Sequence, residues 1–209
     1  MTFNITLIII IITCITSYFA LEKPGLLGKL AHTPYLVKKN NEYYRFVSSG
    51  FVHSGLMHLA FNMFVLYNFG GQVEAEFNGL YGAFSGKFVF VLFYILNIIA
   101  ADLGSYFKHK DNPRFSSIGA SGAVSGVLFV YIVCNPWAPL HFLFFPFFGI
   151  PAFVIGIAYL AYSSYEAKRM RGKINHNAHF YGALFGVAFL WLTQPEMIGV
   201  FIRKLMAGF

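Results

Sequence analysis

The chain has 209 residues, enough for one domain by length alone, and 57% of them are hydrophobic while only 11% are charged. Soluble globular domains carry roughly 25% charged residues, so this composition excludes a water-soluble particle and indicates lipid as the solvent. The net charge of +7 does not indicate nucleic-acid binding, because the basic residues stand in short loops between apolar runs rather than on one continuous face.

A membrane-spanning helix needs about 20 mostly apolar residues, and the sequence predicts six such spans. In chain order they cover residues 2–21, 56–73, 80–103, 119–133, 140–162 and 178–192. The first lacks a basic leading segment and an Ala-x-Ala cleavage site, so we expect a retained span rather than a signal peptide. The fourth and sixth are short and rich in Gly and Ala, which predicts close helix packing inside a bundle. We therefore expect an all-α, polytopic membrane protein with a single domain over residues 1–209.

The connection between the first two spans, approximately residues 22–53, mixes apolar side chains with lysines. Leu26, Lys29 and Lys38 illustrate this mixture. It is typical of short amphipathic helices that lie in the membrane interface. We therefore expect an interfacial segment here.

Three polar clusters stand at the beginnings of predicted spans, at residues 53–62, 119–122 and 176–186. Polar groups at membrane depth are costly and are usually functional. In the first cluster, His58 and Asn62 are four residues apart and share one helix face. The second contains Ser121. The third contains His179, which shares one helix face with the small residues Gly182, Ala183 and Gly186.

Ser121 and His179 together predict serine hydrolysis. A serine hydroxyl is a poor nucleophile until a base removes its proton, and the two groups must approach to about 3 Å. The fourth and sixth spans must therefore touch, and glycines in both spans make that contact possible. The Ser121 backbone N–H stands at a helix N-terminus, where it is unpaired and the helix dipole favours an anion. Asn62 and His58 can add side-chain donors for a developing oxyanion.

These patterns resemble the rhomboid intramembrane proteases over essentially the whole chain. The three matching motifs are His53-x4-His58-x3-Asn62 on the second helix, Gly119-Ala120-Ser121-Gly122 on the fourth, and Ala178-His179-x2-Gly182-x3-Gly186 on the sixth. Two further features of the family are matched by Gly70-Gly71-x2-Glu74 and by Tyr44-Arg45, with Tyr where Trp is common.

The resemblance implies that Ser121 is the nucleophile and His179 the general base of a dyad without Asp. His58, Asn62 and the Ser121 backbone N–H would form the oxyanion hole. It further implies a six-helix bundle that cleaves membrane-anchored proteins in or near their transmembrane segments, without a metal or cofactor. The expected partners are transmembrane protein substrates and the lipid bilayer, and the expected location is a cell (inner) membrane. The oligomeric state is not determined by the sequence.

One position departs from the family pattern. Four residues after the nucleophile, many relatives carry a Tyr that packs on the catalytic imidazole, whereas this chain has Ser125. Another group must then orient His179. The candidates are Phe180, Tyr181 and a hydrogen bond from Ser125 itself.

Two other classes of function fit part of the pattern. The four histidines His53, His58, His176 and His179 could bind a metal in a transporter or a membrane oxidoreductase. However, no carboxylate or thiol joins them at ligand spacing, and the sequence has no His-Glu-x-x-His motif. The chain could also be an inactive rhomboid-like protein that binds or escorts membrane proteins. Such relatives typically lose the Ser or the His, and both are present here.

Charge and resemblance predict opposite orientations in the membrane. Twelve Lys and Arg residues follow the first, third and fifth spans, and only Lys87, Arg203 and Lys204 lie on the other side. The positive-inside rule would place the twelve in the cytoplasm. The resemblance instead implies cytoplasmic termini and an active site that opens to the outside, and we favour that orientation.

Overall fold

The computed structural model describes residues 4–142, 145–169 and 175–208, and within them the chain is mostly helical. The helices are α1 (Ile5–Glu22), α2 (Pro24–Leu30), α3 (Pro34–Asn40), α4 (Arg45–Ser48), α5 (Leu56–Tyr81), α6 (Ala83–His109), α7 (Ser121–Cys134), α8 (Ala152–Arg169), α9 (His176–Thr193) and α10 (Glu196–Ala207). A 3₁₀ turn, Ser49–Phe51, precedes α5, and strands β1 (Pro139–Phe142) and β2 (Phe145–Pro151) form an antiparallel hairpin before α8. Predicted positions 2, 3, 143 and 144, and the basic residues 171 and 173, lie outside the described residues.

Each of the six predicted spans overlaps one helix, in the order α1, α5, α6, α7, α8 and α9. This agreement confirms the all-α bundle. By length and apolar composition, α1 and α6 of the described chain are each able to cross a membrane, and α9 with α10 would make a third span despite a 115° bend between them. The helix α7 is apolar but has only 14 residues.

The fifth predicted span, 140–162, is partly wrong. Its first half forms the β1–β2 hairpin, in which Pro139 pairs with Pro151, and α8 begins only at Ala152. Proline lacks a backbone N–H and drives the preceding residue towards extended conformations, so Pro146 and Pro151 exclude a continuous helix through this run.

The helix α10 was not among the predicted spans. Pro195 is its N-cap residue, and Glu196 lies in its first turn. A proline at the start of a helix and a carboxylate near its N-terminus both favour a new helix at this point. The chain therefore turns sharply after α9 and continues as α10.

The helix α7 lies at the centre of the bundle, with 12 of its 14 residues buried. It packs on α9 through backbone rather than through side chains. A Cβ atom added to Gly182 would lie 2.1 Å from the Gly122 carbonyl oxygen, and one added to Gly186 would lie 2.5 Å from the Gly126 carbonyl oxygen. The predicted contact between the fourth and sixth spans is confirmed, and only glycine permits it at this distance.

The segment between α1 and α5 contains three short helices, α2 to α4, as the amphipathic pattern predicts. Buried Arg45 holds it together, since its Nη1 donates to the carbonyl oxygens of Gly28 and Ala31, both at 2.8 Å. Its Nε donates to Glu42. Arg45 of the family pattern is thus a structural clamp on this segment, and the position of the segment in the membrane interface stays a prediction.

Glu74 of the family pattern also has a structural role. Its carboxylate, buried in α5, accepts hydrogen bonds from the backbone N–H groups of Ile5 and Thr6, each at 3.0 Å, and from the Thr6 hydroxyl. A carboxylate at a helix N-terminus satisfies unpaired N–H groups and is stabilised by the helix dipole. Glu74 therefore attaches α1 to α5.

Candidate active site

Ser121 is the first residue of α7 and is half-buried. No side chain caps this helix N-terminus. Within the described part of the chain, neither the Ser121 hydroxyl nor its backbone N–H has a hydrogen-bond partner. The first N–H groups of a helix are unpaired and carry partial positive charge, so this end is able to receive an anionic oxygen beside the Ser121 hydroxyl.

Main-chain groups of the loop before Ser121 form hydrogen bonds with the segment between α1 and α5. These bonds join Ser117 to His32 in both directions at 3.0 Å, Gly119 N–H to the Ser49 carbonyl oxygen at 2.9 Å, and Ala120 N–H to His53 Nε2 at 3.2 Å. Gly119 has φ +124°, and an added Cβ atom would lie 2.7 Å from His58 Cε1. Only glycine satisfies both conditions, which explains the first glycine of the serine motif.

His53 is fully buried, and both of its ring nitrogens are engaged. Because Nε2 accepts the Ala120 N–H, the ring proton lies on Nδ1, which is 3.0 Å from the Ser17 hydroxyl. His53 therefore links α1 to the loop before Ser121. It is a structural residue in this arrangement, and neither nitrogen is available as a metal ligand.

His179 lies in the first turn of α9, which is firmly anchored. The Asn175 side chain accepts a hydrogen bond from Ala178 N–H at 3.2 Å and donates one to the Ser105 hydroxyl of α6 at 2.8 Å. A Cβ atom added to Gly122 would lie 3.3 Å from the Ala178 carbonyl oxygen, so the residues next to Ser121 and next to His179 are in contact.

The structure thus brings Ser121 and His179 onto adjoining turns of two helices in backbone contact. In the described part of the chain, Ser121 and His179 are not hydrogen-bonded to each other. Such bonds are often long in ligand-free enzymes and tighten when substrate binds.

Within the described part of the chain, none of the groups predicted to orient His179 makes a hydrogen bond or a ring contact with it. The rings of Phe180 and Tyr181 pack on each other, and the Ser125 hydroxyl donates to the Ser121 carbonyl oxygen at 2.7 Å. Instead, Tyr159 of α8 stacks on the imidazole, with ring centroids 6.2 Å apart and an interplanar angle of 20°. The sequence analysis missed Tyr159, which carries no motif and lies in a helix whose start was wrongly predicted.

His58 and Asn62 lie on the face of α5 that adjoins this site. The His58 ring packs against Gly119, and its Nδ1 is 3.2 Å from the Ser54 hydroxyl. Asn62 is buried, and its Nδ2 donates to the His58 carbonyl oxygen at 2.9 Å. A primary amide has two N–H groups, so one remains after this bond.

The sequence analysis also missed Asp102, which is buried in α6 within the third predicted span. Its carboxylate accepts hydrogen bonds from the hydroxyls of Ser49 at 3.1 Å and Ser117 at 3.3 Å, and it lies 3.4 Å from His32 Nδ1. Asp102 therefore ties α6 to the loop that leads to Ser121. A lone carboxylate in an apolar span is a functional signal, and it was present in the sequence.

Comparison with known proteins identifies the family of this chain. Residues 40–196 match the Rhomboid domain family model. The chain is 32% identical to Rhomboid-like protein 11, chloroplastic, of Arabidopsis thaliana, over 77% of this chain and 56% of that protein. It is 30% identical to Rhomboid protein 1, mitochondrial, of Saccharomyces cerevisiae, over 78% of this chain and 45% of that protein. It is 31% identical to the human presenilin-associated rhomboid-like protein, mitochondrial, over 73% of this chain and 40% of that protein.

The chain spans about half the length of the curated relatives it matches. Those relatives are named as chloroplast and mitochondrial proteins, so a cell (inner) membrane location stays a prediction. The family match covers most of the chain, including the loop before α5 and both helices of the candidate dyad. The chain therefore belongs to the rhomboid family of integral membrane proteins.

Proposed function

We propose that this chain is an intramembrane serine endopeptidase that cleaves membrane-anchored proteins in or near their transmembrane segments. Residues 1–209 act as one membrane-embedded domain in this proposal. The observation that supports it best is the glycine contact between α7 and α9. That contact brings together the first turns of the two helices that carry Ser121 and His179.

The reaction would follow the chemistry of acyl transfer. The Ser121 hydroxyl attacks the scissile carbonyl carbon while His179 removes its proton, and His179 then gives that proton to the leaving amine. The oxyanion of the tetrahedral intermediate would accept hydrogen bonds from the Ser121 backbone N–H, the remaining Asn62 N–H and His58. A peptide bond inside a helix is shielded, so we expect substrates with Gly, Ala, Ser or Pro near the cleaved bond.

The inactive-relative alternative is disfavoured, because both Ser121 and His179 are present in this chain. In the metal-binding alternative, His53 could not serve as a ligand, because both of its ring nitrogens are hydrogen-bonded, one to Ser17 and one to Ala120.

A fluorophosphonate probe, which reacts with activated serines, tests the proposal in membranes that contain the full chain. We expect labelling of the native protein and none of Ser121→Ala, because the hydroxyl that forms the covalent bond is gone. Ser85→Ala, which removes an exposed hydroxyl from α6, is the control and should label normally. Labelling that survives in Ser121→Ala would contradict the assignment of the nucleophile.

Asn62→Ala tests the oxyanion hole. We expect turnover to fall by roughly 10² to 10³, as loss of one oxyanion donor does in a soluble serine protease. Probe labelling should remain detectable, because the nucleophile and the base remain. Both quantities would be measured on protein in proteoliposomes with a model transmembrane substrate.

Asn68→Ala is a matched control for this experiment. Asn68 makes the same type of bond, from its Nδ2 to the carbonyl oxygen of Phe64 one turn earlier, but it is exposed on α5 away from the site. We expect turnover within about twofold of the native protein, because exposed substitutions are usually near neutral. If Asn62→Ala loses labelling and thermal stability together, then Asn62 is a packing residue and not an oxyanion donor.

A further inference from the structure

The imidazole of His179 is held between two aromatic rings. Tyr159 of α8 stacks on it with a 20° interplanar angle, and His176 meets it edge-on with centroids 5.6 Å apart. Rings at these separations attract one another in offset-stacked and edge-to-face arrangements. The stacked ring restricts rotation of the imidazole about its own side-chain bonds.

Hydrogen bonds fix the position of Tyr159 in turn. Its hydroxyl lies 2.5 Å from the Ser125 hydroxyl, and Ser125 donates to the Ser121 carbonyl oxygen at 2.7 Å. A carbonyl oxygen can only accept and a serine hydroxyl has one proton, so Tyr159 must be the donor to Ser125. The bonds therefore run in one direction, from Tyr159 through Ser125 to the first turn of α7.

These contacts link one ring to both halves of the candidate dyad. The ring stacks beside the His179 imidazole, and its hydroxyl is connected through Ser125 to the Ser121 carbonyl oxygen. Tyr159 also packs on Phe129 of α7, with ring centroids 5.7 Å apart. A shift of Tyr159 would therefore change the position of His179 relative to Ser121.

We infer that Tyr159, held by Ser125, is the positioning residue that orients the His179 imidazole towards Ser121. This inference rests on the proposed function. It assigns a role to Ser125, which anchors the ring supplied by α8 instead of carrying a ring itself. Tyr159 packs on the His179 ring, so its effect on the reaction at Ser121 acts through His179.

The first test compares steady-state kinetics of Tyr159→Leu with the native chain in proteoliposomes. We expect kcat to fall about 10- to 100-fold, because a misplacement of roughly 1 Å costs on the order of 10² in rate. The KM should stay within about twofold, since the substrate does not need Tyr159 to bind. The rate of fluorophosphonate labelling should fall together with kcat, because both steps need His179 as the base.

Two variants separate positioning from simple loss of packing. Tyr159→Phe retains the ring and loses only the hydrogen bond, so its kcat should fall by about fivefold, less than the kcat of Tyr159→Leu. Phe153→Leu removes a half-buried ring from the same helix, where it packs on Trp137 away from the site. This control should lower thermal stability as Tyr159→Leu does while leaving kcat unchanged.

The hydrogen bond is tested by a double-mutant cycle between Ser125→Ala and Tyr159→Phe. Each single change should lower kcat about fivefold, the rate equivalent of one neutral hydrogen bond. The double variant should be no worse than either single variant, because both remove the same bond. Additive losses would show that Ser125 does not act through Tyr159.

The outcomes distinguish this inference from the proposed function. If Ser121→Ala is inactive but Tyr159→Leu retains kcat within about threefold of the native chain, the proposed protease function is supported and the positioning role of Tyr159 is overturned. A kcat lost equally in Tyr159→Leu and Phe153→Leu overturns it as well, because the effect is then one of stability. Cleavage that persists in Ser121→Ala removes the proposed function itself.

Discussion

Ser121→Ala is expected to lower kcat for cleavage of a transmembrane substrate by about 10⁶, and His179→Ala by the same order. These are the losses that follow removal of a serine nucleophile or its base in a soluble serine protease. The losses should not add in the double variant, because a nucleophile without its base and a base without its nucleophile are equally inactive. Cleavage would be measured as product formation in proteoliposomes.

The fold should survive both changes. Ser121 has no hydrogen-bond partner for its hydroxyl among the described residues, so alanine removes no bond from the native structure. His109→Ala is a control for loss of a histidine ring, since His109 stacks on Phe115 at the end of α6, outside the site. Activity of Ser121→Ala within tenfold of the native chain would refute the protease assignment, and chelator-sensitive activity in that variant would favour a metal site.

Gly182→Ala is expected to reduce turnover by at least about 10² and to lower the thermal stability of the bundle. The added methyl group would lie 2.1 Å from the Gly122 carbonyl oxygen and 2.7 Å from its carbonyl carbon. Backbone atoms inside a helix cannot rotate aside as a flexible side chain does, so α9 must move away from α7. A separation of roughly 1 Å between nucleophile and base is sufficient for a loss of this size.

Gly79→Ala is the matched control for the glycine substitution. Gly79 lies inside α5, and a Cβ atom added there has no heavy atom within 4 Å. Alanine is favoured over glycine in a helix interior by about 1 kcal/mol, so this variant should be as stable as the native chain or slightly more stable. Normal turnover in Gly182→Ala would mean that the distance between α7 and α9 does not control the reaction.

The sequence predicts those features of the fold and site that are set by local spacing, such as the helix period and the positions of prolines. Gly182 and Gly186 stand four residues apart, so the helix period alone puts them on one face and predicts the close contact with α7. The stretch 140–151 is as apolar as a span, and its prolines, not its hydropathy, decide that it forms a hairpin.

The partners of the site residues were harder to predict because they come from other helices. Tyr159 and His179 are twenty residues apart on α8 and α9, and no spacing rule relates two helices across a connection. The same applies to Asp102, whose hydroxyl partners Ser49 and Ser117 come from the segments before α5 and before α7. The sequence shows that Ser125 cannot supply a ring, but only the tertiary packing shows which residue does.

The shortness of α7 has a consequence for the depth of Ser121, the nucleophile of the proposed protease. Fourteen residues at about 1.5 Å each give roughly 21 Å, at least about 9 Å less than a hydrocarbon core of about 30 Å. The far end of α7 is anchored among polar groups, since Lys204 Nζ donates to the Cys134 carbonyl oxygen, and Trp137 next to it suits the lipid headgroup region. With that end at the headgroups, the deficit would fall at Ser121. In the proposed protease, water for hydrolysis would then have to cross about 9 Å of hydrocarbon depth from the opposite headgroups, so the thickness of the bilayer would affect the rate.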